Sequence, residues 1–190
     1  MKNKILSMLL IGTLLLGLTG CGKKTITLNS PLEYKDWEFK LVNVEFSNKR
    51  GKTMTDCFIT SKDEYESNGH NFVCSHDRAE SDKTFLLFEL QMEYKGNKKL
   101  SINLEKELEL NYNDGYIIEP DTAYVNIGDN FDNWIYVAGT SINTKRLEVD
   151  PLEETTYILR GAFEVSEKVE TETENSLKLK LPFDLEYTIR

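Results

Sequence analysis

Apolar and polar residues alternate with a period of two through most of this chain, the spacing of a β-strand with one face buried. Leu86, Phe88, Leu90, Met92 and Tyr94 alternate with Leu87, Glu89, Gln91, Glu93 and Lys95, which predicts a half-buried strand of about ten residues. Trp37, Phe39 and Leu41 share one face of an earlier strand, and Val42, Val44 and Phe46 continue it on the opposite parity. That phase change predicts a β-bulge, or a strand passing between sheets, at Leu41 and Val42. Leu100, Ile102 and Leu104, then Leu108, Leu110 and Tyr112, lead into Asn113-Asp114-Gly115. Asp-Gly suits the positive φ values of a tight hairpin turn, with Tyr116 to Glu119 as the returning arm. Tyr157, Leu159, Gly161, Phe163 and Val165 alternate with Ile158, Arg160, Ala162 and Glu164. The last alternation runs from Leu177 to Ile189, and Pro182, unable to donate to a ladder, predicts a bend or an edge within it. Shorter apolar stretches lie at Ala123 to Ile127, Trp134 to Ala138 and Arg146 to Val149, with a first short strand expected around Ile26 and Leu28.

No helical stripe follows residue 20, and Ser166 to Ser176 reads as an acidic polar loop. Ser47 to Lys83 is irregular and polar, an insertion between two strong strands. Several short strands separated by turn signals predict an all-β antiparallel sandwich.

The segment before the strands has a different character. Lys2 and Lys4 precede an uncharged run from Ile5 to Leu18, and small residues lead to Cys21, the three parts of a secretory signal. As a helix the run would span ~21 Å, too short for a bilayer core of ~30 Å. Leu18-Thr19-Gly20-Cys21 resembles a bacterial lipobox. That resemblance implies a diacylated Cys21, cleavage just before it, and a protein held on the extracytoplasmic face of the cell membrane. The plainer alternative is an ordinary signal peptide whose cleavage site happens to precede a Cys. Residues 1–20 are thus expected as signal peptide, 21–29 as lipidated Cys and short tether, and 30–190 as sandwich with an insertion at about 47–83.

Charge narrows the partners. The chain is formally −9, and loss of residues 1–20, which hold two lysines and no acid, takes it to −11. No basic cluster interleaved with aromatics remains, which argues against nucleic acid as a partner. An acidic exterior offers no attraction to anionic lipid, so attachment would rest on the acyl chains.

The strand pattern is also familiar. Tyr34-Lys35-Asp36-Trp37-Glu38-Phe39-Lys40-Leu41 resembles the opening strand of the telokin-like, immunoglobulin-fold domain of unknown function found in many bacterial lipoproteins. Phe85 to Tyr94, the turn Gly96-Asn97-Lys98-Lys99 and the strand to Leu104 look like that family's central hairpin. Leu152 to Thr156, followed by Arg160 to Val165, resembles its late turn and strand, with a Glu in place of the family's usual Gly. The resemblance spans residues 30–189 outside the insertion and implies an immunoglobulin-like fold, with no catalytic residues to carry over.

Candidate chemistry is concentrated in the insertion. Cys57, His70, Cys74 and His76 include both histidines and every Cys but Cys21. A Cys57–Cys74 disulfide, favoured by an oxidising compartment, would set Phe58 opposite Val73 and Ile59 opposite Phe72 across a hairpin with a polar tip. In the chain-entropy model it contributes ~3 kcal/mol. The same four side chains are also the ligand types of a structural zinc site, although their spacing departs from the paired zinc pattern. Both readings stay open, as does neither.

Asp129 to Asn133 has calcium-type oxygens without the spacing of a calcium loop, and reads as a polar turn. Glu167, Glu170, Glu172 and Glu174 read as a solvated charge run. No Gly-x-Ser-x-Gly elbow and no phosphate-cradling glycine loop occurs. Tyr116, Tyr124, Trp134 and Tyr136 would form a recognition patch if exposed together.

These features predict no enzyme and no cofactor. The expectation is a membrane-anchored, non-enzymatic binding module for a protein or cell-envelope ligand. The alternative is a metal-binding or metal-sensing lipoprotein using Cys57, His70, Cys74 and His76.

Overall fold

In the computed structural model of the protein, residues 23–49, 78–104, 107–128, 134–139, 146–151 and 155–190 are described. They form thirteen strands and one short helix. In chain order the strands are β1 (Lys24–Thr25), β2 (Pro31–Tyr34), β3 (Trp37–Ser47), β4 (Lys83–Tyr94), β5 (Leu100–Ile102), β6 (Glu109–Tyr112) and β7 (Tyr116–Ile118). They continue with β8 (Thr122–Ile127), β9 (Trp134–Gly139), β10 (Leu147–Val149), β11 (Thr156–Ser166), β12 (Leu177–Leu181) and β13 (Leu185–Thr188), and α1 (Glu167–Thr171) follows β11.

A six-stranded sheet in the order β2-β3-β4-β11-β8-β9 faces a five-stranded sheet in the order β1-β13-β12-β6-β7, and β5 and β10 form a separate pair. All pairings between these strands are antiparallel except β1 with β13, so the molecule is a β-sandwich. The alternation places the core. Trp37, Phe39, Leu41, Leu86, Phe88, Leu90, Met92, Leu159 and Phe163 from one sheet, and Leu110, Leu177, Leu179, Leu181 and Leu185 from the other, belong to one buried cluster. Each such side chain, fully buried, contributes about 1.5–3 kcal/mol over leaving it in water.

The predicted phase change is a bulge: the β3–β4 register shifts between Leu41 and Asn43, so Val44 and Phe46 return to the core side. The final alternation reverses on itself. Phe183 (φ 66°) and Asp184 (φ 60°) turn the chain after Pro182, and Leu181 pairs with Leu185. At the β6–β7 hairpin the positive φ values fall on Asn113 (53°) and Asp114 (50°) rather than on the Asp-Gly pair. A tight hairpin the sequence reading missed joins β2 to β3, with Lys35 and Asp36 at φ 51° and 58° between the paired Tyr34 and Trp37.

Three expectations are corrected. Residues 21–29 are not all tether: β1 runs beside β13 from Lys24, Ile26 is buried, and Leu28 bridges to Leu41. The resemblance's central hairpin does not form, because β5 pairs with β10 instead of β4. Part of the expected loop 166–176 is helical, since Ser166 caps the first turn and Val169 gives it one buried contact.

Candidate functional surface

The sandwich has two distinguishable ends. At one, the β2–β3 turn, the β12–β13 turn and the segment after β4 come together: Trp37 packs on Phe183 with centroids 5.2 Å apart, and Lys95 N–H donates to Asp36 O at 2.7 Å. The chain enters the fold here, as Lys24 N–H donates to Asp184 O at 2.9 Å. At the other end lie α1, the β6–β7 hairpin and the roots of the insertion. Lys49 and Arg78 form an antiparallel bridge, and Ala79 N–H donates to Asn48 O at 3.2 Å, so these two flanks of the insertion lie side by side.

At this second end the β6–β7 hairpin has firm support. Tyr112 O–H donates to Glu172 Oε2 at 2.6 Å, and Asn175 Nδ2 donates to the same carboxylate at 2.9 Å. Arg190 ties the C-terminus to the carbonyls of Asn175 and Val169. The Glu172 carboxylate is the first cause of a raised Tyr112 pKa, since it favours the protonated phenol; burial adds to the rise and Asn175 opposes it. Lys178 Nζ lies 2.8 Å from Asp114 Oδ1 and lowers that carboxyl's pKa through the hydrogen bond and its charge. On this base sit the two most exposed large apolar side chains among the described residues, Tyr116 at 68% and Ile117 at 63%. They are consecutive on β7, the edge strand of the five-stranded sheet, next to Tyr112, whose ring centroid lies 6.5 Å from that of Tyr116.

The outward side of the six-stranded sheet holds a second feature. Arg160, only 8% exposed, donates from Nε to Glu89 Oε2 at 2.8 Å and from an Nη to Asn126 Oδ1 at 2.7 Å. Beside it Phe85, Leu87, Tyr124 and Ala162 form a small buried cluster against which Ala79 packs. A largely buried ion pair of this kind adds little net stability, because desolvation offsets much of the attraction, whereas removing one partner leaves the other charge uncompensated. Sequence alone marks Arg160 as a polar-parity residue, but only the β4–β11–β8 register sets it opposite Glu89 and Tyr124.

The predicted site residues separate accordingly. Tyr116 is exposed, but Tyr124 is fully buried on the other sheet, so the four aromatics do not form one patch. Its burial follows from register, which places it among Phe85, Leu87 and Ala162. Trp134 and Tyr136 lie on β9 opposite Asn126 and Tyr124, away from the five-stranded sheet that carries Tyr116. Ile117, absent from the predicted patch, takes their place because a short edge arm leaves both of its faces open. Cys21, Cys57, His70, Cys74, His76 and the 129–133 turn lie outside the described residues. Among the described residues no three His, Cys, Asp or Glu side chains are grouped to hold a metal ion.

Fold and surface together define an antiparallel β-sandwich with one end built around its entering chain and an exposed apolar pair at the other. Among solved structures it is similar to an uncharacterized β-sandwich protein from Clostridium difficile 630, at 20% identity and a TM-score of 0.51, over 88% of this chain and 95% of that one. At that identity the likeness concerns the fold. No protein family matches the chain, and no curated protein matches it.

Proposed function

We propose that the chain is an envelope lipoprotein: an immunoglobulin-like sandwich held by a diacylated Cys21 on the extracytoplasmic face of the cell membrane, acting as a non-enzymatic binding module. The observation that carries this reading is the polarity of the sandwich. Residue 23 enters at one end, two positions after Cys21, while Tyr116, Ile117 and the roots of segment 50–77 sit at the other. A module anchored at one end presents its opposite end to whatever approaches from outside, and recognition concentrates on such loops and edges. The ligand class is a protein or another component of the cell envelope.

In-cell photocrosslinking tests the reading. A photoreactive residue in place of Tyr116 on the anchored protein is expected to capture a specific envelope component that the same residue at Glu33, exposed on β2, does not. Identical adducts from both positions, or none from Tyr116, would count against a binding role for this end.

A further inference from the structure

The outward side of the six-stranded sheet is buried where such a face ordinarily meets water. Across β4, β11 and β8, Leu87 stands opposite Ala162 and Ala162 opposite Thr122, while Glu89 stands opposite Arg160 and Arg160 opposite Tyr124. These positions have the parity opposite to the core residues Leu86, Phe88 and Phe163, so they point away from the five-stranded sheet. Yet Phe85, Tyr124 and Ala162 are fully buried, and Thr122, Asn126 and Arg160 nearly so.

The burial stops partway along the strands. On the same side of the sheet Lys40, Glu45 and Thr156 are exposed, and Gln91, Glu93 and Ile158 are half-buried. A cover therefore lies over one region only, and that region adjoins the flanks of the insertion. Ser47 pairs with Phe85, and Ala79, next to the Lys49–Arg78 bridge, packs against the cluster of Phe85, Leu87, Tyr124 and Ala162. Among the described residues Ala79 is the apolar side chain added to that cluster from outside it. A fully buried aromatic needs atoms on every side, and one alanine spans little of a Phe and a Tyr. The burial holds in a single chain, so the cover belongs to this chain and needs no partner.

We infer that the outward face of β4, β11 and β8 is an internal docking face whose occupant is segment 50–77, packed on it as a third layer. That segment is the longest stretch outside the described residues, and its chain neighbours Lys49 and Arg78 adjoin the buried cluster. Its sequence offers an apolar complement in Phe58, Ile59, Phe72 and Val73, set between polar runs. Packing these against Phe85 and Tyr124 removes both sets of side chains from water. Arg160 gives a second reason. Its pair with Glu89 lies on an outward face with Arg160 itself nearly out of water, which requires a layer that excludes solvent. The inference depends neither on Cys21 nor on the binding role proposed for Tyr116. It makes the insertion part of the body of the domain.

The test starts from the intact mature protein carrying a diazirine analogue of leucine in place of Leu87, activated by light and read by peptide mass spectrometry. Adducts are expected within residues 50–77 of the same chain. Adducts confined to 129–133 or 140–145, or joining two copies of the chain, overturn the inference. A second measurement replaces residues 52–75 with a short Gly-Ser linker and follows hydroxyl-radical oxidation. Tyr124 is expected to oxidise several-fold faster than in the parent, and Tyr116 at the same rate in both. A linker variant that keeps the parental circular dichroism and leaves Tyr124 as protected as before also overturns it. Should the shortened chain lose its strand signal, the crosslink in the intact protein decides alone.

Discussion

Gly161 is the position where a single methyl group has the clearest consequence. A Cβ there would stand 2.3 Å from a ring carbon of Phe88, its cross-strand partner in the core. Phe88 is itself held beside Phe163, with centroids 6.1 Å apart, so the ring cannot move without displacing core. Gly161→Ala is expected to lower unfolding free energy by about 1–3 kcal/mol, read as an earlier urea midpoint with an unchanged slope. A midpoint equal to that of the parent would show that the β4–β11 pairing is looser than described. Tyr112 gives a pH-dependent counterpart. Its folded pKa is raised, so its contribution is complete below the ordinary tyrosine value near 10 and is lost as pH rises through the folded value. Phenolate absorbance should place Tyr112 above an ordinary tyrosine, and Glu172→Gln should bring it down. At this scale the sequence was informative about parity and silent about exposure. Tyr116 and Tyr124 look alike along the chain, yet one stands on an edge strand and the other under neighbours that only the register supplies.

At the scale of elements, the long strands were legible and the choice of partner was not. β3, β4, β11 and β12 follow the alternation, and the bulge appears where the phase changes, because burial of one face dictates parity. The β5–β10 pairing joins segments far apart in sequence, and no local pattern encodes such a choice. The β2–β3 turn was missed because Lys35-Asp36 is not a Gly-containing pair, although both residues adopt left-handed φ. The same limit bears on the insertion. Lys49 and Arg78, which flank it, form an antiparallel bridge, and whether Cys57 and Cys74 are bridged is decided by mass. Intact mass of the mature protein is expected to rise by about two daltons on reduction, the two hydrogens of a broken bridge. Free thiols with stoichiometric zinc would favour the metal reading instead.

For the molecule as a whole, composition and the opening segment stated more than the fold does about location, and the fold states more about direction. Net charge of −9 and the Leu18-Thr19-Gly20-Cys21 motif bear on compartment and anchor. Neither says at which end of the sandwich the chain enters; the β1–β13 pairing supplies that, because it brings Lys24 into the sheet beside Leu185. The candidate surface was legible only in part, with Tyr116 found and Ile117 missed, since edge exposure depends on sheet order. All of this depends on chemistry at Cys21, and the mass of the N-terminal peptide from membrane-fractionated protein examines it most directly. The account predicts a chain that begins at Cys21 with diacylglyceryl on its thiol, and a Cys21→Ala variant that is released or left as uncleaved precursor. An unacylated N-terminus, or a Cys21→Ala variant matured and held on the membrane like the parent, would contradict it.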